Sequence, residues 1–424
     1  MMTDMDAARD RRASWQPPAR PEWAATANAL AGGLDLPGVI PLDAASLIAA
    51  ARRNTGLDHF GSDDWRGPFE TLVAALDGEA RLNFMGRVMA RSDLLTFLEG
   101  RLRVEEAYRL CPEIEDEEIE APLWIIGQGR TGTSILQKLL ALDPANRTLK
   151  TYEALFPVAE AAGEAIDPRI ARADARMALW RAVTPQIDSV HDFGGDEPME
   201  TIMAESMSFQ TPAWLNLLGL TPSYNAALGG EARAHSLAYL RRVLKLLQWQ
   251  APGGRWVLKS PDAMGYLPDV VRAFPDVRLV WTHRDPIVAL SSAVNMIGTL
   301  IWSRSDSVPP AGLFDFLTDP QTSADALSQP IAWMEDGSLP TGQVCHTHYA
   351  ALVEDPIAAI EAIYASFGIA MGEAARAALQ TYVAASRGRA RQTHRYRIGA
   401  PEQIAAERRC FARYQQHFGV PSEV

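Results

Sequence analysis

The stretch "WIIGQGRTGTSILQKLLALDP", Trp124–Pro144, runs from a short apolar segment through a glycine-rich turn into an amphipathic helix. Within it, "GQGRTGTS" (Gly127–Ser134) has the frame G-x4-G-x-[ST] of a phosphate-binding loop. Glycines let a backbone approach an anion closely, and the peptide N–H groups that open the following helix point at it. A triphosphate loop places a lysine directly after its second glycine and a magnesium-binding hydroxyl after that. Here Thr133 takes the lysine's place, and the nearest cation, Arg130, stands three residues earlier. The pattern therefore suits a less charged 5′ group, held by one cation and several N–H donors. A plain strand–turn–helix, with glycines for packing, is the simpler alternative.

Outward from this stretch, apolar runs and helical periods alternate. Leu123–Ile126 reads as a buried strand, and "APGGRWVLKSP" as a turn and strand. "VRLVWTHRDP" reads as a strand ending at His283, and "GQVCHTHY" as a strand before the helix "DPIAAIEAIYASFG". This alternation predicts an α/β fold: a three-layer arrangement of P-loop type around a central parallel sheet. Ligands of such sheets sit beyond the carboxyl ends of the strands. Helical spacing of leucines and methionines over Asp43–Leu110 adds an N-terminal helical extension. Helical signals, strongest in "EARAHSLAYLRRVLKLLQWQ", fill a large insertion at about 157–250. The expected organisation is a mobile leader (1–30), a helical region (31–120) and an α/β domain (121–424). The acid-rich "PEIEDEEIEAP" before the first strand reads as a solvated link.

A second motif lies at the end of the strongest strand. "VRLVWTHRDPIVALSSAVN" puts Arg284 at the strand end and Ser292 eight residues on, about two turns into the next helix. A guanidinium fork and a hydroxyl can hold one phosphate together. Two separated anion sites imply a ligand phosphorylated at two positions. Alternatively, Arg284 makes a strand-end salt bridge. A protein-kinase reading of "HRD" fails, because Leu290 stands where the catalytic loop needs an asparagine.

Together the motifs resemble the sulfotransferases that use 3′-phosphoadenosine 5′-phosphosulfate (PAPS), in particular their large bacterial branch. "PLWIIGQGRTGTSILQKLLALDP" is similar to the family's 5′-phosphosulfate loop and "RDPIVALSS" to its 3′-phosphate motif. "WVLKSP" and "HYAALVEDP" resemble two further family segments, as do the preamble "NTGLDHFG" and the tail from His394 to Gly419. The resemblance implies that PAPS is the donor and adenosine 3′,5′-bisphosphate the product. It assigns binding to Gly129, Arg130, Thr131, Gly132, Thr133, Ser134, Arg284 and Ser292, and places Tyr349 near the adenine. Lys259 would reach the transferring group, with Arg130 as a second catalytic cation and no metal.

Two departures fall on the acceptor side. Ala263 stands where many members carry a histidine, and Tyr152-Glu153 replaces the usual W-E. Glu153 is the first candidate for the base and His191, in "SVHDFGGDEPMET", the second; Glu197 and Glu200 line the same entrance or cap the next helix. The arginines of "SRGRARQTHRYR" read as a solvated turn more than as a lid.

Composition narrows the partners. With 47% hydrophobic and 22% charged residues the chain can bury a large core, and a net charge of −12 speaks against nucleic acid. Cys111, Cys345 and Cys410 show no metal or disulfide spacing, and no apolar run is long enough to span a bilayer. The expectation is a cytoplasmic transferase acting on a small-molecule or lipid acceptor, with a homodimer left open. An ATP-dependent kinase of related fold, or a non-catalytic nucleotide-binding relative, stand as the alternatives.

Overall fold

The computed structural model describes residues 16–159, 166–189, 194–215, 218–307, 319–386 and 400–424. Its centre is a five-stranded parallel sheet of order β2-β3-β1-β4-β5. The strands are β1 (Leu123–Ile126), β2 (Asn146–Thr148), β3 (Arg255–Lys259), β4 (Arg278–His283) and β5 (Val344–His348). Four of them coincide with the apolar runs read from the sequence. The exception is β2, three polar residues at the sheet's edge.

Residues alternate between the two faces of a strand, and the core divides accordingly. Leu123 and Ile125 of β1, Val257 of β3 and Val280 of β4 pack with Leu136, Leu139, Ile360 and Ile363. Trp124, Ile126, Trp256, Leu258 and Trp281 face the other way. There they join a larger core with Phe69, Leu72, Phe97 and Leu102 from the N-terminal helices Arg66–Gly78 and Phe84–Leu110. The N-terminal helices thus share one continuous core with the sheet.

Between β2 and β3 the regular elements among the described residues are all helices, with the long helix Ala232–Gln250 returning the chain to the sheet. The acid-rich link keeps its acids largely exposed, as read from the sequence, but it is anchored to the rest of the chain. Ile114 and Ile119 are buried in the core. Glu115 pairs with Arg242 at 2.6 Å and Lys245 at 3.6 Å, and Glu117 accepts from Gln248 at 2.7 Å. The helix Ala232–Gln250 thus tethers two of the six acids while the link stays at the surface. Among the described residues no single helix is long and apolar enough to cross a membrane, and all three cysteines are free thiols.

This topology positions the site. β1 lies between β3 and β4, so the chain crosses over β1 on its way from one to the other. Register pairs Ile125 with Lys259 on one side and Ile126 with Trp281 on the other. The carboxyl ends of the three strands therefore carry the glycine-rich loop, Lys259 and Arg284 side by side.

Candidate functional site

The loop after β1 is shaped by close packing on its neighbours. Gly127 has φ 137°, and a Cβ there would stand 2.4 Å from Thr282 Oγ1 and 2.7 Å from Thr282 O on β4. Gly132 has φ 96°, and a Cβ would meet the Tyr349 ring at 2.9 Å. Neither position tolerates a side chain. Gly129 differs: a Cβ would find nothing within 4 Å among the described residues. The packing of the described residues does not demand glycine there, and the space beside it is open. Arg130 adopts φ 74°, a left-handed conformation uncommon for a side-chain-bearing residue and one that clusters at ligand clamps.

Thr131 turns its hydroxyl inward, to Gln128 O at 2.7 Å and Thr282 Oγ1 at 2.6 Å. Its side chain pins the loop to β4, so only its backbone is placed to serve a ligand. The helix Thr133–Leu140 then starts with Gly132 at its N-cap, which has no side chain to cap the first N–H groups.

Lys259 ends β3 and is 1% exposed. It shares the parity of Val257, which directs it to the face covered by the loop helix. There Nζ donates to Ser134 Oγ at 3.1 Å and pairs with Glu200 Oε1 at 3.1 Å. A buried ammonium needs such partners. Glu200 occupies the N-cap of the short helix Thr201–Glu205, yet its side chain makes no capping bond. It reaches across to Lys259 instead. Sequence reasoning offered Glu200 only as an entrance or capping residue, since no local period ties it to a lysine on a strand.

Two more acids stand behind this pair. Asp262 accepts from Tyr266 Oη at 2.8 Å and from Ser260 Oγ. It also lies 3.6 Å from Arg233. Glu205 is fully buried and accepts from Thr201 Oγ1 at 2.8 Å and Ser236 Oγ at 2.9 Å. Burial, and after it the negative charge of Asp262, push the Glu205 carboxyl from the ordinary range up to about 7. A carboxyl that binds its proton more tightly when folded stabilises the fold fully below its unfolded pKa. That contribution is lost as pH rises through the folded value, here about 7. Glu205→Gln mimics the protonated form. It is expected to raise Tm over the wild type by about 2 °C at pH 8 and to leave the two nearly level at pH 5. Thermal unfolding at both pH values checks this, and an equal shift at both would contradict it.

Glu153 lies in the helix Thr151–Leu155 just past β2 and is 7% exposed. Its Oε2 accepts from Lys150 N at 3.0 Å and its Oε1 pairs with Arg147 at 3.3 Å. Burial pushes its pKa up. Both oxygens are thus tied to the junction between β2 and its helix. Glu197 pairs with Lys138 of the loop helix at 3.2 Å. His191 and the arginines Arg387, Arg389, Arg391, Arg395 and Arg397 lie outside the described residues.

Across β1, Arg284 follows the last residue of β4 and leans on the loop. Its Nη1 donates to Arg130 O at 3.2 Å, and its guanidinium lies 4.1 Å from the centre of the Tyr349 ring. The fork closes on the carboxylate of Glu423, with Nε and Nη2 each 2.9 Å from an oxygen. Asp285, fully buried, caps the next helix at Ile287 N and accepts from Glu423 N at 2.8 Å and Arg408 at 3.0 Å. The strand-end salt bridge is therefore real, but its partner comes from the far end of the chain. Ser292 lies on the helix Pro286–Trp302 that Asp285 caps. His283 is a satisfied core group, bonded to Tyr414 Oη at 2.8 Å and His346 at 2.9 Å.

The structure thus brings the loop, Lys259, Arg284 and Tyr349 together over adjacent strand ends. The chain as a whole is similar to known proteins. Residues 122–373 match the family model of the sulfotransferase family. The sulfotransferase STF1 from Mycobacterium tuberculosis H37Rv has a similar structure, at TM-score 0.72 and 27% identity over 87% of this chain and 98% of its own. STF9 from Mycobacterium avium is similar at TM-score 0.72 and 25% identity, over 90% of this chain and 98% of its own. No curated protein matches the sequence.

Proposed function

Because the chain belongs to the sulfotransferase family, we propose that it moves the sulfuryl group of PAPS to a hydroxyl or amine of a small-molecule or lipid acceptor. The observation that carries this reading is the chain of contacts Ser134–Lys259–Glu200, which joins the anion loop to a buried cation and a carboxylate at one point.

Sulfuryl transfer resembles phosphoryl transfer: the protein positions the groups and stabilises charge that spreads in the transition state. The N–H groups around Gly129–Ser134 and the Arg130 guanidinium hold the 5′-phosphosulfate, and the open space at Gly129 admits it. Arg284 and Ser292 take the 3′-phosphate, and Tyr349 flanks the adenine. We assign the base to Glu200 ahead of Glu153, whose oxygens serve the β2 junction, and of His191. Glu200 takes the acceptor's proton as the acceptor oxygen or nitrogen bonds to sulfur. Lys259 neutralises the phosphate oxygen released as its bond to sulfur breaks. Lys259 and Arg130 supply the charge that a triphosphate loop draws from its lysine and metal.

Glu423 already fills the fork of Arg284, so on this reading a 3′-phosphate must displace a carboxylate. Thermal titration tests both points. Adenosine 3′,5′-bisphosphate is expected to raise Tm in proportion to its affinity, while ATP with magnesium does not. In Glu423→Gln the bisphosphate is expected to bind about threefold tighter, since a part-exposed ion pair contributes up to roughly 1 kcal/mol. A shift with ATP and magnesium alone would sink the sulfotransferase reading in favour of a kinase. An unchanged or weaker affinity in Glu423→Gln would show that the tail does not occupy the phosphate seat.

A further inference from the structure

A cavity lies among the helices Phe84–Leu110, Pro168–Val183 and Thr201–Glu205. About 40 Å³ of it admits the centre of a water-sized molecule, and it opens to solvent at its mouth. Its walls are apolar: Met89, Leu155, Met177, Trp180 and Met203. Asp93, Arg176 and Arg304 line it as well. Arg176 is well satisfied, donating to Ser92 O, Ser92 Oγ and Thr96 Oγ1 and pairing with Asp93. Arg304 is not. It is 2% exposed, and its Nη2 shares the same Asp93 carboxylate at 2.6 Å. Its Nε and Nη1 have no hydrogen-bond partner among the described residues.

One carboxylate thus serves two guanidiniums, which leaves a positive charge in excess among the described lining residues. Buried donors without acceptors, and buried charge without a counter-charge, are both costly. A ligand carboxylate removes both costs, since it carries a single charge and two acceptor oxygens in a plane that matches a guanidinium edge. A doubly charged phosphate would replace the excess positive charge with a negative one. Methionine-rich walls adapt to an apolar body of varied shape.

We propose that this cavity binds an apolar molecule bearing a carboxylate, anchored at Arg304. The cavity and the transfer point share one element, the short helix Thr201–Glu205. Met203 lies three residues beyond Glu200, the N-cap of the same short helix, and positions three apart on a helix face one another across about 5–6 Å. A ligand anchored at Arg304 and running past Met203 therefore presents its other end towards Glu200. This makes the ligand the acceptor, a hydroxylated apolar acid, and that step alone rests on the sulfotransferase reading.

The test compares molecules that differ only in the acid group. Decanoate is expected to raise the Tm of the wild-type chain, and 1-decanol at the same concentration is not. Met203→Trp fills the cavity but leaves Arg304, Asp93 and Arg176 in place, and should abolish the decanoate shift. Adenosine 3′,5′-bisphosphate should still stabilise that variant, which reports an intact fold and donor site. With PAPS as donor, 10-hydroxydecanoate should exceed decane-1,10-diol in kcat/KM by at least about tenfold, the size of one charge-assisted contact. Equal shifts from acid and alcohol, no shift from decanoate, or a decanoate shift that survives Met203→Trp would each overturn the site. A decanoate shift without any bisphosphate shift would leave the cavity standing and remove the sulfotransferase reading. A bisphosphate shift with no preference for the hydroxy acid would do the reverse to the acceptor assignment.

Discussion

Lys259→Met is expected to slow sulfuryl transfer by about 10²–10³-fold, the usual cost of removing one donor aimed at charge that develops in a transition state. Methionine matches lysine in length and flexibility but carries no charge. The loss should fall on kcat, with the KM for PAPS little changed. On the proposed reading the donor is held before reaction by backbone N–H groups and Arg130, whereas Lys259 meets charge that appears only as the bond to sulfur breaks. Folding should survive, because the Glu200 side chain left behind is 19% exposed and can be hydrated. Lys259→Arg should not restore the rate, since a planar guanidinium does not fit a site where the native side chain is 1% exposed. Glu200→Gln is the companion. If Glu200 and Lys259 act in the same step, the double variant costs little more than the worse single one. Steady-state kinetics with saturating donor settle the matter. Turnover by Lys259→Met within about threefold of the wild type would remove the lysine from the mechanism, given how large the expected loss is.

The contrast between Lys259 and Glu200 shows what the sequence could and could not reveal. Strands buried on both faces are continuous apolar runs. "LWII", "RWVLK" and "RLVWTH" therefore announced β1, β3 and β4 by themselves, and with them the strand ends that carry the loop, Lys259 and Arg284. β2, with the sequence Asn-Arg-Thr at the sheet edge, offers no such run. Glu200 is harder still. It reaches Lys259 only because a five-residue helix inside the long insertion packs against Ala232–Gln250 through Glu205 and Ser236. That placement is a tertiary fact with no local period behind it. The same is true of Arg284 and Glu423, 139 residues apart. A strand-end salt bridge was foreseeable, but not that a carboxylate near the chain's far end would complete it. The buried Ile114 and Ile119 follow the same logic in reverse. Six acids in eight positions read as solvated, and they are largely exposed, but the two isoleucines among them are anchored in a core that no local pattern announces.

Arg284→Ala is the second large effect, and it should appear in binding rather than in turnover. If the fork that now grips Glu423 holds the 3′-phosphate, its removal is expected to weaken adenosine 3′,5′-bisphosphate by about 10²-fold, or roughly 3 kcal/mol, in the range for truncating one partner of a charge-assisted pair. Stability should change by less than about 1 kcal/mol, because the partner it abandons is part-exposed and can be solvated. KM for PAPS should rise while kcat stays nearly constant. The 3′-phosphate does not change charge in the reaction, so its contacts bind ground and transition states alike. Adenosine 5′-monophosphate supplies the decisive control, since it lacks the phosphate in question. The wild type should prefer the bisphosphate strongly and Arg284→Ala should not. Arg284→Lys should recover part of the preference, as a point charge without the fork. The preference should also fall with rising salt in the wild type, since the Arg284 guanidinium lies at a part-exposed edge. A ratio of bisphosphate to monophosphate affinity that is unchanged by Arg284→Ala would place the 3′-phosphate elsewhere. The salt bridge to Glu423 would then be what it is by itself, a latch between β4 and the end of the chain.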